Sequence, residues 1–242
     1  MEKELAPPLP PSGASARSRR DFLRSAGLAG VTLAIPGVLV ACADTLTPDP
    51  VSPSFSKSTD NPSFGRPGAV VLDFKSDVGV LNYAYALEQL EAAFYLQVIA
   101  TPYAGIDAHE TRVLTDVKDH EVVHRDFLKA ALGTYRIPDL AVDFSSINFS
   151  SRASVLGTAK AFEDLGVGAY NGAAKYLDNT DYLVVAGKIV SVEARHAAAI
   201  RDLLNNRSGD FAPNAFDPAY DPTFVIRNAD AYITTKIVVV NT

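Results

Sequence analysis

The chain reads as an all-α protein, an antiparallel four-helix bundle made by duplicating one helical hairpin. Four apolar seams carry that reading, each advancing in alternating steps of three and four as the inward stripe of a packed helix does. They are Leu81, Ala84, Glu88, Glu91, Tyr95 and Val98; Leu114, Val117, Glu121, His124, Leu128 and Ala131; Leu156, Ala159, Glu163, Gly166 and Tyr170; and Tyr182, Ala186, Ile189, Glu193, His196, Ile200 and Leu203. Internal repetition carries it too. Leu87-Glu88-Gln89-Leu90 followed by Tyr95 matches Phe162-Glu163-Asp164-Leu165 followed by Tyr170, an offset of 75 residues. Glu121-Val122-Val123-His124 returns as Glu193-Ala194-Arg195-His196, an offset of 72.

Residues 1–41 have the form of an export signal. Ser18-Arg19-Arg20-Asp21-Phe22-Leu23-Arg24 resembles a twin-arginine motif. The apolar run Ala26–Ala41 is broken by Gly27, Gly30, Pro36 and Gly37, which weakens the alternative of a permanent anchor helix. Leu39-Val40-Ala41-Cys42 resembles a lipobox, so Cys42 is the expected lipidation site; simple cleavage and release is the alternative. Cys42 is the single cysteine, and an intramolecular disulfide is therefore excluded. The expected destination is the periplasm or cell envelope, with the membrane reached only through this N-terminal lipid.

Five of the 22 basic residues and three of the 28 acidic ones lie in 1–41, leaving 17 against 25 and a net charge of −8 for the remaining 201 residues. That balance argues against nucleic acid, whose phosphates need Lys and Arg, and against docking on anionic lipid through a basic patch. A chain of this length is most simply one domain.

Residues 42–76, rich in Pro, Ser and Thr, read as a tether, with Val70-Val71-Leu72-Phe74 able to pack on the bundle at its end. The bundle itself is expected over 77–206. Its first helix runs from about Asp77 to Ala100, and its second from Asp107, with Glu110 as capping-box partner, to Gly133. Residues 133–150 hold Pro138 and no helical period. The third helix spans about Ser151 to Leu177 and the fourth Asp181 to Leu204, stopped by Asn205-Asn206. The tail, 207–242, is largely irregular. A short helix near Pro222–Tyr232 and an extended Ile237-Val238-Val239-Val240 are expected to wrap the bundle.

Residues three apart on a helix share a face, so each Glu-x-x-His aims a carboxylate and an imidazole at one point. Both pairs, with Glu88 and Glu163, lie on the apolar stripe, where an unpaired carboxylate costs on the order of several kcal/mol. Four carboxylates and two neutral imidazoles carry a charge of −4, which two divalent cations cancel. Oxygen and imidazole donors without thiolate suit iron or manganese.

One Glu on each of two helices and Glu-x-x-His on each of the other two resembles the set in ferritin-like di-iron and di-manganese carboxylate proteins. The chain is similar to bacterial ferritin-like domain proteins, in the branch related to desiccation-associated proteins, over roughly residues 77–206. The resemblance implies a ferritin-like bundle with one long crossover between helices two and three. It implies two Fe, alternatively two Mn, per chain. Glu121 and Glu193 would bridge, with His124 and Glu88 completing one metal and His196 and Glu163 the other. It also implies dioxygen or hydrogen peroxide as partner, in Fe(II) oxidation or peroxide removal. A structural or desiccation-related envelope protein that binds metal without turnover is the alternative. A homodimer is compatible with the sequence; a closed storage shell suits a tethered chain poorly.

Several neighbours have two readings. Glu91, one turn from Glu88 where the repeat has Gly166, is either an additional ligand or a solvated group at the bundle edge. Tyr95 and Tyr170 either hydrogen-bond the ligands or simply fill the core. Gly157, Gly168 and Gly172 mark close packing or a channel. His109 and His120 read as surface or capping residues, and Asp116, Asp119 and Asp126 as a solvated face.

Overall fold

The computed structural model describes residues 68–242. The twin-arginine stretch, Cys42 and residues 43–67 of the expected tether lie outside them. Four long helices form the body: α1 (Asp77–Ala100), α2 (Ala108–Leu132), α3 (Arg152–Ala173) and α4 (Thr180–Leu204). Each begins where a short polar side chain can take up an orphan backbone N–H. Ser76 accepts from Gly79, Asp107 from His109 and Glu110, Ser151 from Ser154, and Asn179 from Asp181. None of the described helices is long and apolar enough to cross a membrane.

Glu110 does not close a capping box. Its carboxylate turns inward and accepts from Tyr103 Oη at 2.8 Å and Arg152 Nε at 2.7 Å. Arg152 also donates to the carbonyl of Leu203. A guanidinium makes a stronger partner than a backbone amide, so Glu110 ties the start of α2 to the start of α3 and the end of α4.

α1 packs along α2 and α3 along α4, and the two hairpins meet through α1 with α3 and α2 with α4. Residues 133–151 form the crossover between α2 and α3, running along the outer flank of α1. Asn82 accepts from the Ile137 amide and donates to the Tyr135 carbonyl, and Gln89 accepts from the Leu140 amide. Phe94 sits among Phe144, Phe149 and Phe162. Leu87, Leu90, Ala92 and Phe94 are therefore buried although they lie off the α1 seam. That is why this helix lacks a polar face.

The tail forms α5 (Pro222–Ala229) and β2 (Lys236–Val240), and β2 pairs in parallel with β1 (Ala69–Asp73), Ala69 opposite Lys236. Val70 and Leu72 turn inward, and Phe74 packs edge-on against Tyr83 and Tyr176. Before α5 the tail lies directly on α3. The Tyr220 amide donates to the Gly168 carbonyl at 2.8 Å. A Cβ at Gly168 would overlap the Tyr220 ring, and one at Gly172 its carbonyl. These glycines make room for the tail, not for a channel or a neighbouring helix.

Gly172→Ala should cost about 1–3 kcal/mol through overpacking against a rigid backbone atom. Gly157→Ala, where an added Cβ meets open space, should gain up to about 1 kcal/mol from helix propensity. Thermal unfolding of the two variants should therefore shift in opposite directions. Equal shifts would show that the tail does not pack on α3 as described.

Candidate metal centre

The helical period turns Glu121 and His124 inward from α2, Glu193 and His196 from α4, Glu88 from α1 and Glu163 from α3. Because α2 and α4 run antiparallel, each imidazole reaches the opposite Glu-x-x-His pair. His124 Nδ1 lies 2.8 Å from Glu193 Oε1, and His196 Nδ1 lies 2.7 Å from Glu121 Oε1. His124 Nδ1 is also 3.6 Å from Glu88 Oε2, and His196 Nδ1 is 3.4 Å from Glu163 Oε2. Two four-residue groups result: Glu88, Glu121, His124, Glu193 and Glu121, Glu163, Glu193, His196. In each, one donor atom per residue lies within 4.8 Å of all the others. Glu121 and Glu193 belong to both groups. All four glutamates are fully buried.

Beyond the contacts these six residues make with one another, eight of their polar atoms have no hydrogen-bond partner: both oxygens of Glu121 and Glu193, Oε2 of Glu88 and Glu163, and both Nδ1 atoms. Buried polar atoms are ordinarily satisfied, so this many at one point call for a counter-charge. Donors about 2.1 Å from a cation and at right angles stand about 3 Å apart, close to the spacings observed. The donor set fits divalent metal ions, and the cluster could hold them.

The other oxygens of the two single glutamates are taken up crosswise. Tyr170 Oη donates to Glu88 Oε1 and Tyr95 Oη to Glu163 Oε1, each at 2.5 Å. The seven-residue spacing from Glu to Tyr on each of two antiparallel helices produces this exchange. Burial, then the nearby glutamates, push both tyrosine pKa values well up, so the hydroxyls remain donors.

Without metal, protons balance the cluster. Burial opposes a charge on His124, but contacts with Glu121, Glu193 and Glu88 outweigh it and hold its pKa up at about 12. His196 is likewise raised to about 12 by Glu121, Glu163 and Glu193. Burial and the charge of Glu193 push Glu121 well above the usual carboxylate range. Burial raises Glu163 to about 7. Glu193, against the pull of its own burial, is held down at about 2 by the two imidazoles.

Glu91 belongs to neither four-residue group, and its head is not solvated at the bundle edge. It is 4% exposed. A Cβ on Gly166 would stand 3.0 Å from its Oε1, so the glycine in the repeat makes room for this carboxyl. Burial, then Glu121, Glu193, Glu163 and Glu88, push its pKa well up, which favours its protonated form.

His120 is not merely a surface residue. Its ring is exposed, yet its Nδ1 lies 2.9 Å from His196 Nε2. Seam counting misses it because it sits one residue off the stripe, at the flank where a long side chain reaches the next helix. His109 is exposed at the start of α2, and Asp116, Asp119 and Asp126 are exposed as expected. Beside His124, an open, largely apolar groove of about 250 Å³ is lined by Val123, Phe127, Val185, Ile189 and Val192, with Lys188 at its edge.

The two imidazoliums carry protons that entering cations must displace, and the raised pKa values of Glu121 and Glu163 favour further protons there. Metal affinity should therefore rise with pH, and calorimetry in buffers of different ionisation enthalpy should register proton release. Affinity independent of pH would contradict this charge state. Tyr95→Phe and Tyr170→Phe should each weaken metal binding by about 10- to 100-fold, measured by competition with a chelator.

A family model described as ferritin-like domain matches residues 76–206, more than half of the chain and all four bundle helices. No curated protein matches it. With the bundle, the crossover and the buried carboxylate–imidazole cluster in place, the chain belongs to the ferritin-like domain family.

Proposed function

We propose that this protein binds a dinuclear iron centre, alternatively a dinuclear manganese centre, and couples it to the reduction of dioxygen or hydrogen peroxide at the cell envelope. One observation carries the reading: two four-residue donor groups that share Glu121 and Glu193, the arrangement a pair of bridged cations requires. Glu88 and His124 would complete one position, Glu163 and His196 the other. When bound, the metal pair supplies two electrons, enough to take dioxygen to hydrogen peroxide or hydrogen peroxide to water.

The residues around the pair have their own tasks. Tyr170 and Tyr95 fix Glu88 and Glu163 so that one oxygen of each stays directed at the centre. The seams above and below, with Leu114, Leu128, Leu156 and Ile200 almost fully buried, keep bulk water out. The raised pKa of Glu91 favours a proton beside the cluster, and reduction of either oxidant consumes protons. The groove beside His124 gives a small oxidant an approach from outside. Export by the twin-arginine route, which carries folded proteins, suits a chain that takes up its metal before it leaves. Cys42 would then hold the bundle at the membrane as a lipoprotein. A role in oxidative stress would suit the resemblance to the branch related to desiccation-associated proteins.

Metal analysis after anaerobic supply of Fe(II) and Mn(II) should find about two ions per chain. Addition of oxygen or peroxide to the Fe(II)-loaded protein should consume the oxidant. Glu121→Ala with His124→Ala should abolish that consumption. Two bound ions without consumption would favour a structural envelope protein, and a stoichiometry near zero would remove the metal reading.

A further inference from the structure

The two halves of the cluster are near-repeats, yet their outer edges differ. The residue before Glu121 is His120, whereas the residue before Glu193, 72 positions on, is Val192. Each stands beside the imidazole of the opposite helix. His120 meets His196 Nε2 at 2.9 Å, while Val192 lines the apolar groove that His124 also lines. Among the described residues, no side chain hydrogen-bonds the second ring nitrogen of His124.

From this contrast we infer that His120 is a positioning residue for His196, making the Glu163–His196 position the tighter metal position and the Glu88–His124 position the exchangeable one. The inference rests on the dinuclear reading above. His196 points Nδ1 at Glu121, Glu163 and Glu193. To ligate, that nitrogen must carry a lone pair, so the ring proton sits on Nε2. The Nε2–H then donates to Nδ1 of His120, whose own proton lies on its Nε2. The two rings are nearly parallel, 13° apart with centroids at 5.1 Å, and a contact through their nitrogens restrains rotation of the His196 ring. A ligating histidine whose outer N–H is bonded keeps its tautomer and orientation. The outer edge of His124 faces the groove, where Lys188 is exposed but, among the described residues, no side chain hydrogen-bonds the ring. Its ring is freer to turn, and its position lies beside the groove.

Cobalt(II) is the probe, titrated into purified full-length protein and followed by its visible absorption. The native protein should bind in two steps of unequal affinity. His120→Leu should weaken the tighter step by about 10- to 100-fold and leave the weaker one in place. His120→Asn, whose side-chain oxygen stands where Nδ1 stood, should restore most of the loss. In proton NMR of the cobalt-loaded protein, the paramagnetically shifted His196 ring N–H should exchange slowly with solvent in the native and Asn forms and quickly in the Leu form. Unchanged steps in His120→Leu, or equal weakening of both, would overturn the role of His120 while leaving the dinuclear centre intact. Failure of the native protein to bind cobalt at all would instead overturn the metal reading on which it rests.

Discussion

The fold is organised around a repulsion. Four fully buried glutamates face one another within a helical interior, where bringing like charges out of water is among the costliest things a protein does. The bundle tolerates this because each carboxylate has a fixed partner: an imidazole from the opposite helix for Glu121 and Glu193, a donating tyrosine hydroxyl for one oxygen of Glu88 and Glu163. Both sets of contacts depend on antiparallel helices. If α1 and α3 ran the same way, Tyr95 would lie two turns from Glu163, not beside it. The long crossover follows, since α2 and α3 must then run in parallel and the chain has to return along the bundle between them.

Duplication accounts for the plan, and departures from it account for the chemistry at the edges. Where α1 has Glu91, α3 has Gly166, and the carboxyl of one fills the space left by the other. Where α2 has His120, α4 has Val192, so one imidazole is bonded on its outer side and the other looks onto an apolar groove. A nearly two-fold cluster of carboxylates and imidazoles thus sits in surroundings that are not two-fold. The crossover and the tail add to the imbalance, since the crossover covers α1 and the tail lies on α3.

What was legible in the sequence was what depends on local period and repetition. The stripe spacing located the helices to within a few residues at each end, and it chose the six side chains that meet in the interior. The tail's helix and extended run were legible as elements but not as contacts. The pairing of β2 with β1 joins segments more than 160 residues apart, and no local pattern encodes it. Gly168 and Gly172 signalled close approach without saying that Tyr220 was the neighbour. Glu110 carried a capping signature, but an arginine brought in by α3 took its carboxylate. His120 is exposed, as its off-stripe position implies, but its contact with His196 was not legible, because the flank of a bundle lies within reach of the adjoining helix.

The proposed function stands on Glu88, Glu121, His124, Glu163, Glu193 and His196 enclosing two cations. Anomalous diffraction from crystals of the manganese-loaded protein, recorded on both sides of the manganese absorption edge, addresses that directly. Two peaks should appear, one among Glu88, Glu121, His124 and Glu193 and the other among Glu121, Glu163, Glu193 and His196. Metal found only elsewhere on the protein, with the cluster filled by water or by its own protons, would contradict the account.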